Sequence, residues 1–178
     1  TLVNSFPVVG YFSTSSLAFA PAEAGKDTVI TATFVLNSDF LADESVYLQL
    51  PLFTQSSTVT LAVTSSSPVT TTWTPTWTSA STTLRLQANS GSTEIAEAAT
   101  FTITIAGLKL PSTGVTANGA EYTVTTDALS GPITDPTSIK VTAGVGCFPS
   151  SSLSFRPADA VAAYYTGGNT NRLRIPKG

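Results

Sequence analysis

The sequence predicts an all-β protein: an antiparallel, immunoglobulin-like β-sandwich of about seven to nine strands with a C-terminal extension. Three observations carry this. Short apolar runs alternate with hydroxyl residues along most of the chain. Clusters of Gly, Asn, Asp, Ser and Pro separate those runs at modest spacing. Thr (31) and Ser (22) together supply about thirty per cent of the 178 residues; Thr is β-branched, suited to half-buried strands and poor in helices.

The runs come in order. In Thr28-Val29-Ile30-Thr31-Ala32-Thr33-Phe34-Val35-Leu36, one face carries Ile30, Ala32, Phe34 and Leu36, and the other mostly Thr and Val. Val46, Leu48 and Leu50 alternate with Tyr47 and Gln49, and Val59, Leu61 and Val63 with Thr60 and Ala62. Leu84, Leu86 and Ala88 alternate with Arg85 and Gln87, and Phe101, Ile103 and Ile105 with Thr102 and Thr104. Tyr122 and Val124, then Ile139 and Val141, repeat the pattern. A period of two means one buried face per strand, and it argues against a parallel sheet, whose strands are buried on both faces. Gly25-Lys26-Asp27, Asn37-Ser38-Asp39, Pro51, Ser65 to Pro68, Asn89-Ser90-Gly91, Asn118-Gly119 and Ser130-Gly131-Pro132 read as turns. Helical candidates reduce to Ala20–Ala24 and Ala158–Ala163, both short and bound up with Pro.

Composition narrows the function classes. Histidine is absent and cysteine occurs once, at Cys147. That removes Ser-His-Asp and Cys-His catalysis, His-ligated or four-thiolate zinc, and any disulfide within the chain. The formal charge is −3, with only 11% charged residues, so nucleic-acid binding lacks its electrostatic footprint. No run approaches the ~20 apolar residues of a membrane span. No P-loop, dinucleotide loop or nucleophile elbow occurs, and no cofactor is implied. Methionine is absent too, and the expectation is a processed product or a piece of something longer.

Residues 10–24 align without a gap on residues 146–160, keeping Gly, both Phe, Leu, Pro and two Ala, with Glu23 opposite Asp159. The match reads as a tandem module whose second copy begins near Gly146, or as two similar edge strands within one fold. The expected organisation is a linker or leading strand over 1–9, a sandwich over 10–145, and a second copy or assembly tail over 146–178. Residues 1–155 carry four basic and ten acidic side chains, whereas the tail carries Arg156, Arg172, Arg174 and Lys177 against Asp159. A basic tail on an acidic body would be steered onto a neighbouring copy, or would end as a solvated terminus. Cys147, Phe148, Leu153, Phe155, Arg172 and Arg174 are the expected assembly contacts. Cys147 is read as a small buried apolar residue or a bridge to another chain.

Candidate chemistry is sparse. Asp39, Asp43 and Glu44 share a loop that is a weak calcium candidate, lacking the alternation and central Gly of an EF-hand. Glu94 and Glu97 would act as an acid/base pair only across a cleft. In Thr71 to Thr78, an extended chain puts Trp73, Pro75 and Trp77 on one face. The two indoles either fill the core or an intermodule contact, or form a platform that stacks on sugar rings. Pro75 marks an edge strand or a bulge. Thr64 to Thr72 and Ser79 to Thr83 are candidate acceptors of O-linked sugars; no N-x-[S/T] acceptor occurs.

Leu17 to Ala24, Thr28 to Leu36, Val46 to Phe53 and Ala99 to Leu108 together resemble repeat modules in large surface proteins of algae and other microbial eukaryotes. Those modules share a rhythm of strand, LP-x-F and later FTITI-x-GL. The resemblance covers most of residues 10–160 and implies a non-enzymatic β-sandwich unit of an extracellular coat, fibre or flagellar hair. It carries no catalytic residues. The functional expectation is therefore an extracellular or cell-surface building block that resists extension and packs against other copies, its tail pairing with a neighbour's sheet edge in contacts that do not close. The alternative is a carbohydrate-binding module using Trp73 and Trp77; a glycosidase-like enzyme is the weakest of the three.

Overall fold

The computed structural model describes residues 10–65 and 71–146. They form eleven strands: β1 (Phe12–Ala20), β2 (Asp27–Leu36), β3 (Ser45–Gln49), β4 (Thr54–Gln55), β5 (Ala62–Ser65), β6 (Trp73–Thr78), β7 (Thr83–Ala88), β8 (Thr100–Lys109), β9 (Thr123–Thr126), β10 (Ile133–Ser138) and β11 (Val141–Thr142). No helix occurs among the described residues, and Ala20–Ala24 leaves β1 into a turn. One sheet has the order β11-β1-β2-β8-β4, with β5 also on β8; the other runs β10-β9-β3-β7-β6. All pairings are antiparallel except β1 with β11. The pairs β1-β2-β8-β5 and β10-β9-β3 reproduce the two sheets of an immunoglobulin-like sandwich, and β7 and β6 widen the second.

Alternation predicts the faces because burial drives it. Ile30, Ala32 and Phe34 on β2 lie opposite Ile105, Ile103 and Phe101 on β8, and all six are buried. From the other sheet, Val46 and Leu48 pair with Leu86 and Leu84, again fully buried. Aromatic rings cap this aliphatic centre at both ends. Phe12, Phe34, Phe101, Phe40 and Trp73 form a chain of rings with centroids 5.5–6.4 Å apart. Phe19, Phe53 and Tyr122 form the other cluster, at 5.8 and 6.4 Å.

Eleven strands make only nine passes along the sandwich. β4 and β5 both run against β8 as two pieces of one interrupted edge, and β10 continues into β11 without reversing. The break between β4 and β5 explains why the expected Val59–Val63 run is only partly a strand. Residues 56–61 leave the sheet, Val59 is exposed, and the Ser56 hydroxyl accepts the amides of Thr58 and Val59. Gly107 faces this detour at φ 93°, and a Cβ there would sit 2.5 Å from Leu61 Cα, so only glycine fits.

The second departure is at Ile139–Val141. Ile139 is buried, yet Val141 is 58% exposed and Thr142 is buried instead. The chain crosses from one sheet to the other here, and the crossing resets which side faces the core.

Replacing Phe34 by Ala should cost about 3–5 kcal/mol of unfolding free energy in guanidinium titrations. Gly107→Ala should cost roughly 1–3 kcal/mol by forcing a strained φ and displacing Leu61. Wild-type stability in either variant would contradict the packing described.

Candidate functional site

The tryptophans share a face, as their spacing predicts, but that face points inward. β6 is the edge of its sheet, with Pro75 opposite Leu86. Trp73 is only 7% exposed and lies against Phe101 (6.2 Å between centroids, 17° between planes) and Phe40. Trp77 is half-buried against the core. Neither indole N–H finds an acceptor, and each stays in place through ring burial rather than polar contact. Stacking on a sugar needs open indole faces, so this pair does not supply the platform of the carbohydrate-binding reading.

Two carboxylates of the acidic loop, those of Glu44 and Asp39, accept backbone amides. Glu44 is 5% exposed and accepts the Leu41 amide on Oε2 and the Leu129 amide on Oε1, each at 2.7 Å. It thereby ties the loop before β3 to the loop after β9. Asp39 Oδ1 accepts the Glu97 amide at 2.8 Å. Asp43 turns the chain at φ 68°, its amide donating to Ala88 O and its carbonyl accepting Gln87 Nε2. The three acids thus serve different partners, and among the described residues no three Asp, Glu or Cys side chains group to hold a metal ion. The loop therefore does not bring Asp39, Asp43 and Glu44 together around one point. Glu94 and Glu97 lie exposed on the loop approaching β8, on either side of buried Ile95.

A second carboxylate with a structural post escaped sequence reasoning. Asp127 accepts the Ser45 amide on Oδ1 and the Tyr47 hydroxyl on Oδ2, the latter at 3.0 Å. Arg85 Nε donates to Ser45 Oγ at 3.0 Å. These residues sit side by side on the outer side of the five-stranded sheet, among Gln49, Thr83 and Thr125. Apart from Asp27 and Lys109, paired at one end, the outer face of the other sheet is uncharged across four strands: Thr14, Ser16 and Ala18 on β1, Thr31, Thr33 and Val35 on β2, Thr100, Thr102 and Thr104 on β8, and Ala62 and Thr64 on β5. Thr33 and Thr102 share a hydrogen bond at 3.0 Å across the β2–β8 pair.

An open recess of about 360 Å³ lies beside the β1–β2 turn, lined by Lys26, Asp27, Thr54, Gln55, Thr58 and Lys109 among others. Asp27 is held below the ordinary carboxylate value by hydrogen bonds from Thr58 (2.7 Å) and Ser56. Its charge half-cancels the two lysines, so the recess is polar without a strong field. The expected assembly residues Cys147, Phe148, Leu153, Phe155, Arg172 and Arg174 lie outside the described residues, as do the second copy of the 10–24 segment and the Ala158–Ala163 stretch.

The strongest geometric feature is where the described chain enters and leaves the sandwich. β1 begins at one pole of the sandwich, beside the 37–44 and 127–132 loops: the Asn37 amide donates to Tyr11 O at 3.2 Å. Gly10 lies so close to Gly131 that a Cβ would overlap its carbonyl. β11 runs parallel to β1 and leads to the opposite pole, where Val145 bridges to Val115. The described chain, from Gly10 to Gly146, therefore begins and ends at opposite poles of the sandwich.

No family model matches the chain, and no curated protein matches it. A crystal structure of an uncharacterized protein from Nocardia farcinica, described as having an immunoglobulin-like fold, is similar at 16% identity, over 80% of this chain and 91% of that chain, with a TM-score of 0.42.

Glu44→Ala should orphan two amides and lower stability by roughly 2–4 kcal/mol in denaturant titrations, while added calcium leaves the wild-type melting temperature unchanged. For Asp27, whose folded value lies below 3.8, the stabilisation is present above that pH and fades as pH falls through the depressed value. Thr58→Ala should move its titration back up toward 3.8, read by carboxyl-resolved NMR.

Proposed function

We propose that this chain is a non-enzymatic structural module, joined end to end with its neighbours in an extracellular or cell-surface fibre or coat. The observation that carries the reading is that the described chain enters and leaves the sandwich at opposite poles. A module built this way transmits an axial pull through its body; one with both flanks at the same pole would hang from the line of force. The nine-residue β1 makes the body ~30 Å long along that axis.

The surface chemistry supports the same reading. Hydroxyl and amide groups dominate the outer faces and charges on them are few, so neighbouring copies approach without strong repulsion. The described carboxylates of Glu44 and Asp127 hold loops and strands together rather than facing a cleft. The resemblance to repeat modules of algal and other microbial-eukaryote surface proteins points to the same kind of assembly. Its partners would be other copies of this chain, met through the basic terminal segment.

Sedimentation velocity and negative-stain microscopy of the whole chain test this. Head-to-tail oligomers should grow with concentration, weaken with added salt, and be reduced by the double change Arg172→Glu and Arg174→Glu. A chain that stays monomeric at millimolar concentration and low salt would refute the assembly reading.

A further inference from the structure

We propose that the recess beside the β1–β2 turn is a binding site for an acidic sugar: a pyranose unit that carries one carboxylate and several hydroxyls, as a uronic acid does. This adds a ligand to the structural role proposed above and does not depend on assembly.

Distant parts of the chain converge here. Lys26 and Lys109 are 83 residues apart, yet both line the recess. They are two of the four cationic side chains among the described residues, which carry ten carboxylates. Lys109 stands opposite Asp27 on β2 and opposite Thr54 on β4. Directly opposed residues have Cβ atoms about 5 Å apart, so a carboxylate, an ammonium and a hydroxyl form a row across three strands. Gln55, at the end of β4, and Thr58, in the loop beyond it, complete the lining.

The walls are fixed by the protein's own bonds. The Gly25 amide donates to Pro111 O at 3.1 Å and the Leu110 amide to Lys26 O at 2.9 Å, which ties the β1–β2 turn to the end of β8. The Ser56 amide donates to Gly107 O at 2.9 Å, and Gly107, lacking a Cβ, lets the backbone at Thr60 and Leu61 pass close by. Thr58 Oγ1 donates to Asp27 Oδ2 at 2.7 Å and joins the two walls. Groups already in place lose less entropy when a ligand binds.

The set of groups selects the ligand. Two ammoniums and one carboxylate leave a single surplus positive charge, which matches a ligand with one negative charge. A phosphate dianion would be repelled by Asp27, which stands beside both lysines. A plain carboxylic acid would make no use of Asp27, Thr54 and Gln55. A sugar acid uses all of them: its carboxylate lies against the lysines, and its hydroxyls donate to Asp27 and exchange hydrogen bonds with Thr54 and Gln55. A carboxylate has about four acceptor positions. Thr58 and Ser56 occupy two of those on Asp27 and favour its charged form, leaving the others for hydroxyls. A second open recess of about 300 Å³ shares Gln55, Ser57 and Thr58 with the first, so a further sugar unit has hydroxyl-lined room beside it. No aromatic ring is among the described lining residues; affinity rests on polar contacts and should be about millimolar.

Backbone amide NMR of the whole chain at neutral pH, titrated with three compounds, tests this. Methyl galactopyranosiduronate carries both charge and hydroxyls, methyl galactopyranoside the hydroxyls alone, and acetate the charge alone. The uronate should shift the amides of Lys26, Asp27, Gln55, Thr58 and Lys109 saturably and bind roughly tenfold more tightly than either of the others. Asp27→Ala separates sugar recognition from simple attraction, because it makes the recess more positive. It should weaken the uronate roughly threefold or more while tightening acetate. Thr58→Ala, which releases the loop but keeps the carboxylate, should cost less. Lys26→Gln and Lys109→Gln, both at exposed positions, should each weaken the uronate about threefold with little change in unfolding midpoint.

The proposal is overturned if the uronate gives no saturable shift, or if acetate moves the same amides as strongly. It is equally overturned if Asp27→Ala binds the uronate more tightly than wild type, or if both lysine variants bind it as wild type does. Each measurement reads a single chain, so the result stands whether or not chains assemble.

Discussion

The structure depends on the pairing of β2 with β8. These are the two longest strands, ten residues each, and they form the floor on which the second sheet packs. Their register brings Ile30, Ala32 and Phe34 against Ile105, Ile103 and Phe101, so one slip by a residue would turn every one of these side chains to water. Burial of such side chains is worth roughly 1.5–3 kcal/mol each, which makes the register the most strongly specified feature of the chain. Phe34 and Phe101 then anchor the ring cluster that holds Phe12, Phe40 and Trp73. The start of β1, the loop before β3 and the β6 edge are all positioned through those two rings.

With that floor fixed, the remaining problem is polar. A sandwich with 11% charged residues has few ions to mark which surfaces stay wet, and hydroxyl groups take that role. Threonine suits it because its methyl group packs on the pleat while its hydroxyl meets water or a neighbour, as Thr33 and Thr102 do. The few carboxylates are used where loops need acceptors. Glu44 joins two loops that are 85 residues apart in the chain, and Asp127 fixes the start of β3. Edges are blunted by other means: Pro75 removes a donor from β6, and β4 and β5 are short pieces separated by a detour.

Sequence reading reached the core faces because they depend on a local rule. Ile30 to Leu36, Val46 to Leu50, Leu84 to Ala88 and Phe101 to Ile105 are buried as their alternation requires. It failed where the answer depends on a distant partner. Nothing near Glu44 reveals that Leu129 will supply an amide. Trp73 and Trp77 share a face by period two, but the period alone does not say whether that face is the inner one. Val141 misled because alternation assumes a strand that stays in one sheet, whereas the chain changes sheets between β10 and β11. The acids of the 39–44 loop looked like a cluster because they are close in sequence, and a turn at Asp43 sends them to separate partners.

That change of sheets decides more than the exposure of Val141. Nine passes is an odd number, so the chain leaves the sandwich at the pole opposite the one it enters. Had β11 folded back as a tenth pass, both flanks would emerge together and β1 would face an antiparallel neighbour. Continuing β10 into β11 keeps the direction of travel and brings the last described strand beside β1 as a parallel neighbour. The cost is one sheet crossing at Ile139 and Lys140, absorbed by the Ser15 hydroxyl and by Asn118, which take up the backbone groups that neither sheet can reach. A local irregularity that spoils the sequence pattern is thus what places the two ends of the described chain at opposite poles of the sandwich.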